Sequence, residues 1–457
     1  MWQALLRYLS FRRLAAVFLE HLLIVLCIFD AQSIRSSYVA GRAEYILKAV
    51  LIALVFQIAL HLRDIYNIDQ TTSRFFSRLG QALLGAAVSL LILTYAFPGL
   101  VPDRVVLGPA IILISFLLTV WHWLIRLWLN ARTPPSNVLI LGTGTLAREL
   151  VTEILRRPDL GMAVSGFVDQ NPELVGVSIV NPKVIGVCED LPQIVQKTKA
   201  NRIVVALNDR RGSLPIDALL KLKTEGIAVE EATSVYERVT GKIAIENLKP
   251  SWLIFNAGFE VSRTLLLQQR LLSLCISLTL LVLFLPVMLV VMVLIKLGSP
   301  GPIFHRQERV GQGGRPFTIW KFRSMYQDAE KHSGPMWAQR NDKRVTKVGR
   351  FLRRTRLDEL PQLYNVLRGD MSLVGPRPER PHFVEELAEK IPFYQLRHAV
   401  KPGVTGWAQI KYEYGSSVQD AIEKLQYDLF YIKHMSCLLD VLVMFETVKT
   451  VLVRKGS

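Results

Sequence analysis

Residues 271–295, LLSLCISLTLLVLFLPVMLVVMVLI, run for twenty-five positions without a charged side chain. About 20 apolar residues let a helix cross the hydrocarbon core of a bilayer, so this stretch is built for a membrane. Two features argue against a simple crossing. Pro286 lies in its interior, where it removes a helical hydrogen bond and favours a kink or break. Both flanks are basic, with Arg263 and Arg270 before the run and Lys296, Arg306 and Arg309 after it. A crossing would put one flank outside, against the tendency of Lys and Arg to stay on the cytoplasmic side. A helix that enters, turns at Pro286 and leaves on the same face satisfies both features, provided protein covers part of its backbone. A single span is the alternative.

Further apolar runs near 14–31, 44–62, 80–97 and 105–129 predict four transmembrane helices within residues 1–132. The last ends in Trp and Arg residues of the kind that prefer a membrane interface. Glu20, His21 and Lys48 fall near the ends of the first two runs, which favours a structural role over a transport path. Arg7, Arg12 and Arg13 precede the first run, and Arg63, Arg74 and Arg78 separate the second from the third. The other loops carry Arg35, Arg42 and Arg104. This bias puts the N-terminus in the cytoplasm, and four spans return the chain there. The first run has no small-residue cleavage site, so no signal peptide is read. Cys27, Cys188, Cys275 and Cys437 are far apart, which argues against a disulfide framework or a zinc site. The net charge of +17 calls for an anionic partner. The basic residues are scattered among hydrophobic runs, without a groove-reading motif, so nucleic acid is not expected.

Residues 136–245 read as an α/β domain. NVLIL is a buried strand, and Gly142-x-Gly144-x-x-Ala147 follows it directly and opens a helix. That is the context of a dinucleotide-binding turn. VSGFVDQ is a second strand, with Asp169 where an acidic residue could meet a ribose, and RIVVAL (202–207) a later parallel strand. Gly142, Gly144 and Asp169 are therefore candidate cofactor-binding residues. The same turn also serves simply to pack helix on strand, and no Tyr-x-x-x-Lys of a sugar-nucleotide dehydratase follows.

From Gly301 to Leu360 there are fourteen Lys and Arg against six Asp and Glu. FTIWKFRS alternates as a strand carrying Lys321 and Arg323, and Gly311, Gly313 and Gly314 form a turn beside basic side chains that suits a diphosphate. LDELPQLYNVLRG then reads as a short helix with Leu360, Leu363, Tyr364 and Leu367 as its apolar face and Gly369 as its stop. Asp358 falls at or near the N-cap and Glu359 just inside, where the helix dipole and free N–H groups keep carboxylates ionised. A capped helix accounts for Asp358 but not for the surrounding Arg353, Arg354, Arg356, Arg368, Arg377 and Arg380. An ionised Asp can attack phosphorus, and a neighbouring Glu can hold Mg²⁺ while the arginines screen a diphosphate.

KFRSM, LDELPQLYNVLRGDMSLVGPRPE, KPGVTGWAQI and KLQYDLFYI follow one another in an order that resembles the bacterial sugar transferase family, the monotopic polyprenol-phosphate phosphoglycosyl transferases. The resemblance covers roughly 263–457, and the preceding spans and Rossmann-like domain resemble the long-form members. It implies a multi-domain membrane protein: an N-terminal four-helix transmembrane bundle, an α/β Rossmann-like cytoplasmic domain, and a C-terminal α-rich catalytic domain with a re-entrant membrane helix at 271–295. It also implies a two-step reaction. Asp358 would attack the β-phosphate of a UDP-sugar, releasing UMP, and undecaprenyl phosphate would take the sugar-phosphate from the enzyme. Glu359 matches the family's Mg²⁺-binding glutamate. Arg353 and Arg377 match its phosphate- and nucleotide-binding arginines, and Lys321 and Asp428 further polar residues of the site. Two departures stand out: Ser273 where the family often has Asp, and Ile410-Lys411-Tyr412-Glu413 where Val-Asn-Gly-Arg is common.

The expected activity is the first membrane step of exopolysaccharide or O-antigen synthesis at the bacterial inner membrane, with self-association through the N-terminal region. One rival is a UDP-sugar oxidoreductase or dehydratase working through the Rossmann-like domain. The other is a non-catalytic regulatory protein of polysaccharide assembly.

Overall fold

The computed structural model describes residues 19–28, 42–63, 65, 72–97, 99, 104–132, 136–157, 160–207, 214–245, 258–260, 262–327, 344–412, 415 and 417–453. The ends of the first predicted span lie outside these residues, as do Arg7, Arg12, Arg13, Arg35 and Glu413. The chain divides into two compact units, Trp2–Val239 and Thr240–Ser457.

In the first unit, the four N-terminal apolar runs give α1 (Leu19–Ile28), α2 (Arg42–Leu62), α3 (Thr72–Ala96) and α4 (Arg104–Arg132). Ala49, Ile52, Phe56 and Leu60 on α2 and Leu79, Ala82, Ala86 and Leu90 on α3 recur at helical spacing. They share one core with Ile24, Ile28, Ile114 and Leu118. The opposite faces are also apolar, with Leu84, Leu91, Ile112 and Phe116 exposed. Helices apolar all round belong in lipid rather than water. Phe75–Ala96 and Leu107–Leu124 are each long and apolar enough to cross a membrane. The polar residues among them hold one another. Trp121 Nε1 donates to the buried Glu20 at 3.1 Å, with His122 Nε2 3.4 Å from the same oxygen. His21 Nδ1 lies 3.1 Å from Gln57 Oε1, and Lys48 pairs with Glu44 one turn away at 2.6 Å. These contacts match the structural role expected of them.

The same unit holds a five-stranded parallel sheet of order β3-β2-β1-β4-β5, the doubly wound pattern expected of a Rossmann-like domain. Its strands are β1 (Ser136–Leu141), β2 (Met162–Asp169), β3 (Val184–Val187), β4 (Arg202–Val205) and β5 (Ala228–Glu231). Helices α5 (Thr145–Arg156), α6 (Leu191–Thr198), α7 (Ile216–Thr224) and α8 (Ala232–Thr240) connect or follow them. Central β1 pairs in register with β2 at Leu139↔Gly166 and with β4 at Leu139↔Ile203. Its continuous apolar run is buried, as a strand covered on both faces requires.

In the second unit, α9 runs unbroken from Arg263 to Gly298, through Pro286. At 1.5 Å per residue its 36 residues make about 54 Å of helix measured along the chain, more than a hydrocarbon core of about 30 Å needs. Met288, Val291 and Ile295 on its C-terminal half pack with Phe322 and Leu352, while Val282, Leu285, Leu289 and Leu294 are exposed. The antiparallel pair β6 (Phe304–Val310) and β7 (Pro316–Phe322) follows, and its connecting turn is the glycine-rich 311–314 segment. Next come α10 (Lys347–Thr355), α11 (Gln362–Arg368), β8 (Ser372–Val374) and α12 (Pro381–Lys390). The unit ends with β9 (Gly403–Thr405), α13 (Trp407–Lys411), α14 (Val418–Lys433) and α15 (Cys437–Val453). Strands β8 and β9 pair in parallel, Ser372↔Gly403 and Val374↔Thr405. Gly375, Gly403 and Gly406 lie so close there that a Cβ on any of them would strike the facing backbone.

Candidate active site

The acidic pair is not at a helix cap. Leu357–Glu359 form a tight 3-10 turn, α11 starts only at Gln362, and Arg356 enters the turn with φ of 58°. Pro361, which the sequence places in the first turn of a helix starting near Asp358, instead precedes α11. Both carboxylates are inward, with Asp358 8% and Glu359 9% exposed. Three elements supply their partners. Lys321 on β7 puts Nζ 3.1 Å from Glu359 Oε1, and Arg377, after β8, donates to the same oxygen at 3.0 Å. Arg356 lies 3.7 Å from Oε2. Asn365 fixes α11 against β7: its Oδ1 accepts from Trp320 N at 3.0 Å and its Nδ2 donates to Thr318 O at 2.8 Å.

This asymmetry splits the pair. Burial alone would raise both carboxyls, but Lys321, Arg377 and Arg356 hold Glu359 far below the ordinary glutamate range. Burial and then the charge of Glu359 push Asp358 up, against Lys321, Arg353 and Arg356. The expectation that both carboxylates are kept ionised by a helix end is therefore corrected: the helix start is too far along the chain, and Glu359 takes the closest cations. Asp358 is left as a desolvated carboxyl with an elevated proton affinity, beside a fixed anion.

The other candidates occupy distinct places. Arg353 Nε donates to Ser324 Oγ at 2.9 Å, a contact possible because Gly349 lets α10 lie against the Ser324 backbone. Arg323 turns away from this cluster. Its Nη1 donates to Pro300 O at 2.7 Å, and its Nη2 to Ser299 O at 2.7 Å and Ser299 Oγ at 2.9 Å, so it fastens the end of α9. Asp428 is fully packed beneath the site, with Oδ2 accepting from Arg397 Nη2 at 2.8 Å and Nε at 3.2 Å. Arg397 Nη2 also donates to Arg377 O at 3.1 Å, so the buried pair steadies the chain that presents Arg377. Arg397 and Asn365 do not stand out in the sequence. Their only signal there is a polar residue amid an apolar helical face. Ser273 replaces the acid often found there with a hydroxyl 3.2 Å from Ser372 Oγ, so α9 remains tied to β8. Lys411 lies over the Trp407 ring at 4.8 Å.

Among the described residues no group of three or more His, Cys, Asp or Glu forms a metal cage. Mg²⁺ commonly takes one or two carboxylates and completes its shell with substrate phosphates and water, and Asp358–Glu359 fit that donor set.

The second glycine-rich site is arranged differently. Gly142 has φ of 109° and its backbone approaches Ala206 so closely that a Cβ would meet Ala206 O at 2.9 Å. Gly144 precedes α5 in extended conformation. Asp169 Oδ2 accepts from Thr143 Oγ1 at 2.7 Å, and Oδ1 from Gln170 N at 2.8 Å and Asn171 N at 3.2 Å.

The chain matches two family models, bacterial sugar transferase over residues 264–454 and CoA-binding domain over residues 61–224. It is 44% identical over 231 residues to a UDP-N-acetylgalactosamine-undecaprenyl-phosphate N-acetylgalactosaminephosphotransferase of Aeromonas hydrophila, covering 50% of this chain and 54% of that one. The chain thus spans about half the length of that relative. It is 43% identical to a UDP-glucose:undecaprenyl-phosphate glucose-1-phosphate transferase of Caulobacter vibrioides, over 41% of this chain and 70% of the relative. The exopolysaccharide production protein PSS of Rhizobium leguminosarum is 41% identical over 39% of this chain and 92% of its own length. The matched segment contains the Asp358–Glu359 turn and every side chain described as holding it, and the chain belongs to the bacterial sugar transferase family.

Proposed function

We propose that this membrane protein transfers a sugar-1-phosphate from a UDP-sugar to undecaprenyl phosphate, releasing UMP, with Asp358 as the nucleophile. The observation that carries the reading is the split acidic pair: one carboxylate neutralised by Lys321, Arg377 and Arg356, the other adjacent and without an ion pair among the described residues. Asp358 Oδ forms a bond to the β-phosphorus, and the bond from that phosphorus to the bridging oxygen breaks. UMP leaves with that oxygen. An oxygen of the lipid phosphate then attacks the same phosphorus and expels the Asp358 carboxylate, giving the polyprenyl diphosphate sugar and the free enzyme.

Lys321 and Arg377, which hold Glu359 in this state, are placed to turn to the diphosphate of the donor as it arrives. Mg²⁺, held by Glu359, would supply neutralisation of diphosphate charge. Arg353 adds positive charge beside Asp358, favouring its ionised form. Asp428 and Arg397 act by positioning Arg377 rather than by touching substrate.

In this reading α9, whose helical assignment continues through Pro286, bends there without breaking, so that the helix is re-entrant and the catalytic unit and both basic flanks face the cytoplasm of the bacterial inner membrane. The four N-terminal helices form a multi-pass bundle through which copies associate. The test is UMP release by purified full-length protein in detergent with Mg²⁺ and a panel of UDP-sugars, including UDP-glucose and UDP-N-acetylgalactosamine. Release that depends on undecaprenyl phosphate and vanishes in Asp358→Asn is expected, and the productive donor identifies the sugar. Lipid-independent turnover with reduction or oxidation of a nicotinamide would replace this reading.

A further inference from the structure

The catalytic unit contains a second cationic site, apart from the acidic pair. A cavity of about 180 Å³ opens between the first turns of α9, strand β8, the segment before β9 and the end of α14. Its polar lining includes Arg270, Lys401, Ser273 and Ser372, and its walls include Met371 and Val400. None of these residues is among those holding Glu359.

The two cations converge. A Cβ added to Gly369 would lie 3.5 Å from Arg270 Nη2 and 3.8 Å from Lys401 Nζ. Arg270 is fixed, because its Nη1 and Nη2 donate to Val366 O and Leu367 O at the end of α11. Lys401, in contrast, has no hydrogen bond or ion pair among the described residues. Burial and the neighbouring Arg270 both pull its ammonium below the usual lysine range, while Asp370 works the other way. Two half-buried like charges repel; Asp370, which also lies 3.6 Å from Arg368, offsets part of this, and an anion placed between the two cations would relieve both. Ser273 and Ser372, whose hydroxyls are 3.2 Å apart, add donors on the same wall.

The surroundings say what carries the anion. Arg270 immediately precedes the uncharged run 271–295. Leu267 and Leu271 on α9 are exposed, as are Val441 and Phe445 on α15. The two helices are tied through Gln269, which lines the cavity and whose Nε2 donates to Asp440 Oδ2 at 2.8 Å. A charged, hydroxyl-lined recess whose wall includes the exposed Leu266 fits an amphiphile better than a free ion. We infer that this cavity binds the phosphate of a membrane lipid, with Lys401 as the principal donor, Arg270 as the fixed countercharge and the exposed apolar residues of α9 and α15 against the lipid chains. The inference does not depend on the reaction at Asp358.

The test uses full-length protein stripped of lipid in neutral detergent and titrated with phosphatidylglycerol, bound lipid being counted by native mass spectrometry. Lys401→Gln should weaken the tightest binding event by about tenfold, the worth of one charge-assisted contact, and Lys401→Arg should keep it within about threefold of wild type. Inorganic phosphate at millimolar concentration should not compete. Displacement by undecaprenyl phosphate would assign the site to the isoprenoid lipid, and persistence of phosphatidylglycerol would assign it to bulk phospholipid. Unchanged binding in Lys401→Gln, or full competition by inorganic phosphate, would overturn the inference. Lys401 is half-buried and unpaired, so neither substitution removes a folding contact.

Discussion

Asp169 ends β2 beside the glycine-rich turn at Gly142–Gly144, Glu359 ends the arginine-flanked turn Leu357–Glu359, and the chain holds the two in opposite ways. Asp169 is satisfied by its own neighbourhood: the Thr143 hydroxyl and the N–H groups of Gln170 and Asn171, none of them charged. Glu359 draws Lys321, Arg356 and Arg377 from separate segments onto one carboxylate, with Asp358 beside it. A turn that only needs closing can do so with local neutral donors. Converging several charges in a buried place costs desolvation, and local chain geometry does not require it. The difference is the one expected between a turn that packs helix on strand and, under the proposed function, one that receives a charged substrate.

Asp358→Asn should lower UMP release by roughly 10³-fold or more, as removal of a nucleophile does, while Asp169→Asn should stay within about twofold of wild type. Equal losses from the two variants would mean that the sheet domain takes part in the chemistry. Asp428→Asn comes next. It leaves Arg397 buried without its counter-charge, so denaturation in detergent should show a loss of about 3 kcal/mol, with the remaining folded protein impaired through Arg377. Arg397→Lys should impair turnover more than stability, because a lysine cannot serve Asp428 and the Arg377 carbonyl together.

Much of this site can be read along the chain because the proposed reacting groups are contiguous: Asp358 and Glu359 adjoin, and Lys321, Arg353 and Arg377 sit in the motifs that precede and follow them. The buried strands of the sheet and the helical period of the apolar runs are equally plain, since each is a local pattern. Arg323 shows where local pattern fails. Alternation puts it on the same face as Lys321, but β7 ends at Phe322, and one residue later the side chain turns onto the open carbonyls at the end of α9. Arg397 is invisible for the complementary reason. Its partners lie 20 and 31 positions away, and only the folded chain brings them together. Glycines 375, 403 and 406 mark a backbone-to-backbone approach that no periodicity announces.

As the proposed nucleophile Asp358 would act as an anion, and its carboxyl is pushed up, so kcat/KM should fall about tenfold per pH unit below a limb lying above the ordinary aspartate value of about 3.9. Glu359→Gln removes the adjacent negative charge, and whatever activity remains should have its acidic limb moved to lower pH. A limb that stays in place would show that Glu359 does not set the proton affinity of Asp358. The smallest effect concerns the sheet. Thr143→Val removes one hydrogen bond to Asp169 and should cost about 1 kcal/mol of stability without changing UMP release by more than about twofold.

The most direct test of the account is intact-protein mass spectrometry of the full-length enzyme incubated with Mg²⁺ and its productive UDP-sugar in the absence of any lipid acceptor. The account predicts a mass increase of one sugar-phosphate, mapped to Asp358, lost on adding undecaprenyl phosphate and absent from Asp358→Asn. UMP release that requires the lipid from the first turnover, with no adduct at any time, would contradict it.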